Sequence, residues 1–152
     1  IEAIENKHQE SPHLRILQKV LANDITIRVH SEEDLNAAIN ASEILFKKGD
    51  DAVKDLKRMS SQIFEDVFEG VPQAKIAISD IKLGITIVEA LTHKTNFLKS
   101  GGEARRALKE NSISVNKTKV NEEKLLNTDD LINGKYILIQ RGKKNYFVIL
   151  VD

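Results

Sequence analysis

The stretch YILIQRGKKNYFVILV, residues 136–151, places two runs of β-branched and aromatic residues on either side of the basic turn RGKKN. Such residues suit a pleated, half-buried surface, so each run predicts a strand and the pair a hairpin. Upstream, ISVNKTKV predicts another hairpin, with Ile113 and Val115 before an Asn116-Lys117 turn and Val120 after it. A two-residue type I′ turn there needs positive φ at Lys117, which costs energy for any residue with a Cβ. The hairpin is therefore predicted and its turn type left open.

Between them and the linker, SGGEARRALKE predicts a helix in which Ala104, Ala107 and Leu108 share one stripe and Arg105, Arg106 and Lys109 the opposite side. Glu103 suits the positive first turn, whereas two arginines do not help it. ITIVEALTHK stays ambiguous: its β-branched residues favour a strand, while Val88 and Leu91 favour a helix. The C-terminal half is thus expected to be a small α+β domain over 84–152, two helices packed on a small, mainly antiparallel sheet.

The N-terminal part reads differently. Leu35, Ala38, Ile39, Ser42, Leu45 and Phe46 recur at helical spacing, as do Leu14, Leu17 and Leu21, and DITIRVH is read as a continuation of that helix. Ser60 or Ser61 can cap a short helix in which Ile63, Phe64, Val67 and Phe68 share a face. Gly70, Pro72 and Gly84 then break the pattern. Residues 1–69 are accordingly expected to be an all-helical segment and 70–83 a linker. Charge divides along the same line. Residues 1–69 hold 9 Lys/Arg against 14 Asp/Glu, a balance of −5, and residues 70–152 hold 14 against 9, a balance of +5. The net charge of zero hides a basic half, which raises the prospect of a nucleic-acid partner there.

Several chemistries are disfavoured. The chain has no cysteine, so no disulfide, thiolate nucleophile or thiolate metal site is available, and a cytoplasmic setting is expected. His8, His13, His30 and His93 lack the spacing of a metal site, and none is predicted. Gly101-Gly102 lacks the Lys-Ser/Thr pair of a phosphate loop and reads as a turn opening a helix. No catalytic residue is predicted. No apolar run reaches the roughly 18 residues of a membrane span, so no membrane partner is expected.

What stands out is a set of donors. Lys99, Ser100, Arg105, Arg106 and Lys109 lie on or before the basic helix; Asn116, Lys117 and Lys119 at the first hairpin turn; Arg141, Lys143, Lys144, Asn145 and Tyr146 at the second. If the three clusters converge, they form a patch that tracks RNA phosphates, with Asn116, Asn145 and Tyr146 offering hydrogen bonds or stacking.

SGGEARRALKENSISVN resembles the motif of the small α+β RNA-binding fold first known from a ribosomal small-subunit protein. RGKKNYFVILV resembles the C-terminus of bacterial-type tyrosyl-tRNA synthetases, as do Arg15, Gln18, Leu21-Ala22, Thr26, Val29-His30, Ser42-Glu43, Leu45-Phe46 and the segment FEGVP at 68–72. The HIGH-like and KMSKS-like signatures that hold ATP in that family are not in this sequence. The resemblance therefore implies a C-terminal fragment: the end of a helical anticodon-binding domain, a linker and an RNA-binding tail. It implies tyrosine tRNA as the partner, gripped by its long variable arm and anticodon region. It further implies that the fragment is inactive and monomeric alone and carries no cofactor. In the parent enzyme, ATP-dependent tyrosylation and homodimerisation would belong to the catalytic domain. The alternative is a stand-alone RNA-binding or ribosome-associated module.

Overall fold

A computed structural model describes residues 10–47 and 50–152, and the chain divides into two compact units, Ile1–Phe46 and Lys47–Asp152. In the first unit, a single 3-10 turn at Pro12–Leu14 leads into helix α1, Ile16–Val29, which pairs with α2, Glu32–Phe46. DITIRV is helical, as expected, and His30 closes the helix, its N–H donating to Thr26 O. Apolar residues surround α1, and Leu21, Ile25 and Val29 stay at least half exposed.

The second unit begins with two short helices, α3, Asp50–Arg58, and α4, Ser61–Val67. Ser60 caps α4, its Oγ accepting from Ile63 N at 3.3 Å. The chain then turns through Gly70 at φ 76° into strand β1, Gln73–Ile76, and helix α5, Ile78–Leu83. Residues 70–83 are therefore not a free linker. β1 pairs in parallel with the last strand, Gln73 opposite Val148 and Ile76 opposite Val151. Four residues with weak alternation carry little strand signal of their own; pairing with a distant strand makes them one. Pro72, which has no N–H to give, sits just before the strand and only accepts, from Val148 N.

β2, Ile85–Thr86, leads directly into helix α6, Ile87–Glu89, which runs on into a π turn at Ala90–Lys94. Both readings of ITIVEALTHK are partly met, because Thr86 ends the strand and caps the helix, accepting from Glu89 N. Helix α7, Gly101–Lys109, follows, then β3, Ile113–Val115, β4, Thr118–Lys119, β5, Leu125–Leu126, β6, Tyr136–Arg141, and β7, Asn145–Val151. The main sheet runs β1-β7-β6-β3-β4, antiparallel apart from its β1 edge, while β2 and β5 form a small second sheet. The fold is α+β, as expected.

The pleat decides which residues meet which helices. Ile137, Ile139, Phe147, Ile149, Ile113 and Val115 form one core with Ala104, Ala107 and Leu108 of α7 and Ile87, Ala90 and Leu91 of α6 and its π turn. Their neighbours along the strands point the other way. There Tyr136 stacks on Phe64 of α4 with ring centroids 4.6 Å apart, and Phe68 meets Phe64 and Tyr146. The Tyr136 hydroxyl donates to Glu65, and Asn133 donates to Met59 O at 2.8 Å. The expected all-helical segment 1–69 is thus divided: its last two helices cover one face of the sheet.

Candidate nucleic-acid interface

The basic helix α7 is built from its N-terminus. Ser100 is its cap, Oγ accepting from Glu103 N at 3.2 Å. Glu103 reaches back past the cap, one oxygen accepting from Lys99 N at 3.1 Å and the other from Arg141 at 2.8 Å. The Arg141 hydrogen bond, then that from Lys99 N, holds the Glu103 carboxyl below the usual carboxylate range. Sequence reasoning did not single out Glu103 as part of the site, although its place three residues after Ser100 is the capping-box spacing. With Ala104, Ala107 and Leu108 buried, Arg105, Arg106 and Lys109 face solvent.

Two of these cations are engaged. Arg105 pairs with Glu122 at 2.8 Å, both side chains more than half exposed, and Arg141 pairs with Glu103 in a more sheltered position. Lys99, Arg106, Lys109, Lys119, Lys143 and Lys144 are exposed and make no ion pair among the described residues. The register places Arg141 opposite both Ile113 and Asn145, on the α7 side of the sheet. The Gly142-Lys143-Lys144 turn follows directly. The Arg141–Glu103 bond ties this basic turn to the start of the basic helix.

The first hairpin does not join it. Asn116 and Lys117 have φ of 46° and 70°, the left-handed pair of a type I′ turn, which settles the open turn type. Asn116 is 5% exposed, and both ends of its amide bond internally: Oδ1 accepts from Leu138 N at 2.9 Å and Nδ2 donates to Asp130 O at 2.6 Å. It is a turn anchor, with both ends of its amide held inside the protein. Tyr146 lies opposite Gln140 and so faces α4, where Phe68 and Lys117 border its ring. Lys117 Nζ donates to the Tyr146 hydroxyl at 2.9 Å and lies 4.6 Å from the ring centroid. Burial lowers the pKa of this half-buried amine to about 8. Lys119 lies opposite Ser114 and, though exposed, shares the side facing away from α7. The three clusters therefore split between the two faces of the sheet, because residues one apart on a strand point in opposite directions.

A groove of about 530 Å³ runs beside β4, lined by Val53, Lys57, Thr118 and Lys119 with Lys124 and Asp130. Lys124 is paired with Asp130 at 2.7 Å. Among the described residues no group of His, Cys, Asp and Glu could hold a metal ion, and no helix is long and apolar enough to cross a membrane. His8 lies outside the described residues.

Fold and surface define a class: a small α+β domain carrying a capped basic helix on a mainly antiparallel sheet. Residues 63–149 match the family model described as tyrosine–tRNA ligase SYY-like C-terminal domain, and the chain belongs to that family. The chain is 56% identical to the tyrosine–tRNA ligase of Flavobacterium johnsoniae over 151 residues, 99% of this chain and 35% of that protein. It is 53% identical to that of Flavobacterium psychrophilum and 43% identical to that of Bacteroides thetaiotaomicron, over the same shares. The chain thus spans about a third of the length of these curated relatives. The resemblance to tyrosyl-tRNA synthetases read from RGKKNYFVILV and FEGVP is borne out.

Proposed function

We propose that this chain is the tRNA-gripping part of a cytoplasmic tyrosine–tRNA ligase. In this reading the α7 surface and the β6–β7 turn lie against phosphates of the tyrosine tRNA variable arm, and the N-terminal helices belong to the anticodon-recognising region. The observation that carries it is the row of exposed cations, Lys99, Arg106 and Lys109 with Lys143 and Lys144, in a chain whose relatives bear that ligase's name. Such a row reads phosphate positions more than bases, so it senses RNA shape. Activation of tyrosine with ATP belongs, in the same reading, to the part of the ligase this chain does not span, as does dimerisation of the enzyme. The described residues support that division, since Gly101 and Gly102 open a capped helix whose N-terminal turn is occupied by Glu103.

The test is a competition gel shift at one stated salt concentration. Tyrosine tRNA should bind better than a short-armed tRNA, and Arg105→Ala with Arg106→Ala should weaken it. The slope of log K against log salt should flatten by about 0.7–0.9 for each phosphate that is no longer neutralised. Lys143→Ala with Lys144→Ala should weaken the long-armed complex more than the short-armed one. Unchanged affinity in folded variants would reduce the basic surface to solvated charge.

A further inference from the structure

We infer that Glu103 is a positioning residue for RNA binding, a carboxylate that fixes Arg141 and the Lys99-Ser100 turn in one arrangement at the end of α7. The inference rests on the tRNA-binding reading above and assigns a role to a negative charge set inside a basic surface.

Among the described residues two carboxylates are ion-paired to cations of this surface, and they are held differently. Glu122 meets Arg105 through one contact between exposed side chains. Exposed pairs of this kind hold weakly, so an incoming phosphate can replace the carboxylate. Glu103 is fixed at three points: its own N–H on Ser100 Oγ, one oxygen on Lys99 N and the other on Arg141. The Glu103 and Arg141 side chains are 33% and 38% exposed, against 56% and 60% for Glu122 and Arg105. A guanidinium has five N–H donors in a planar fork. The bond to Glu103 uses one nitrogen of Arg141, so further donors remain, oriented by a bond in their own plane. Arg141 closes β6, and Lys143 and Lys144 follow within the next three residues, so the same bond ties the basic turn to the start of the basic helix. Without it, a long side chain loses its orientation and must be ordered at the moment of binding, which weakens association.

Charge alone predicts the opposite. Removing a carboxylate from a basic surface should tighten binding to any polyanion. The two carboxylates therefore separate the explanations. With the full chain and a tyrosine tRNA transcript, Glu122→Gln should tighten binding, and Glu103→Ala should weaken it by about fourfold at 0.15 M salt, the share of one phosphate contact. Arg141→Ala should weaken it similarly, and the Glu103→Ala, Arg141→Ala double variant should be no worse than Arg141→Ala alone. The salt slope should flatten by the same amount in all three. If Glu103→Ala destabilises the helix start, Glu103→Gln keeps an oxygen for Lys99 N and removes only the charge facing Arg141; it should still weaken binding. Tighter binding by the Glu103 variants, with Arg105→Ala and Arg106→Ala still weakening it, overturns the positioning role and leaves tRNA binding standing. No effect of any of these substitutions overturns both.

Discussion

Asn116 separates a structural role from an RNA-binding one. In Asn116→Ala, Leu138 N–H loses its side-chain acceptor on a strand that is fully buried at that point, and Asp130 O loses a donor. Leaving one buried donor unpaired costs about 1–3 kcal/mol. Alanine at φ 46°, where asparagine is tolerated, adds roughly 1 kcal/mol. The expected loss is about 3 kcal/mol, more than about 10 °C in Tm for a unit of this size. Both tyrosines of the chain, Tyr136 and Tyr146, lie in the second unit, and there is no tryptophan, so tyrosine fluorescence in a urea titration follows that unit alone. Below its midpoint the variant should bind tRNA as the parent does. A stability change under about 0.5 kcal/mol, the range of ordinary surface substitutions, together with lost RNA affinity would refute the reasoning and restore Asn116 as an RNA contact.

Two further outcomes follow from the α4 side of the sheet. Lys117 has a folded pKa of about 8, below the usual value of 10.5, so the unfolded chain binds more protons between these values and stability rises with pH through that window. With a half-exposed amine the gain from pH 7 to 9.5 should be only about 1 kcal/mol, and Lys117→Met should lose it; a parent profile that is flat or falls would contradict the burial argument. Tyr136→Phe keeps the stack on Phe64 and removes the hydroxyl bond to Glu65, the contact that pushes the Tyr136 pKa up to about 12. It should cost about 1.5 kcal/mol in chemical denaturation, and an unchanged midpoint would mean the bond contributes nothing net.

Local signals and tertiary ones differed in how far they could be read. α7 was legible because its cap, its apolar stripe and its basic face lie within ten residues, and the hairpins because β-branched runs flank short turns. β1 was not, because Gln73–Ile76 becomes a strand only by pairing with residues some 75 positions later. Nor was the place of α3 and α4, which is set by Phe64 on Tyr136 and by Asn133 on Met59, contacts that no local pattern encodes. Among site residues, the basic face of α7 could be read from helical spacing, but the separation of Tyr146 and Lys117 from Arg141 required the register.

That register also gives the chain's charge division a physical sense. The α7 side of the sheet carries an open basic surface, whereas the other side is closed by the aromatic contacts of Phe64 and Phe68 with Tyr136 and Tyr146. Lys117 is drawn into that closure and half buried by it, where its amine links the hairpin turn to Tyr146 of β7. A sheet covered on one side by α6 and α7 and on the other by α3 and α4 has only its edges and its helix surfaces left for a partner. The cations of α7 and of the β6–β7 turn are on such surfaces, and Glu103 joins them. In the proposed tRNA-binding role, orientation, more than the number of positive charges, is the quantity such a surface must hold fixed.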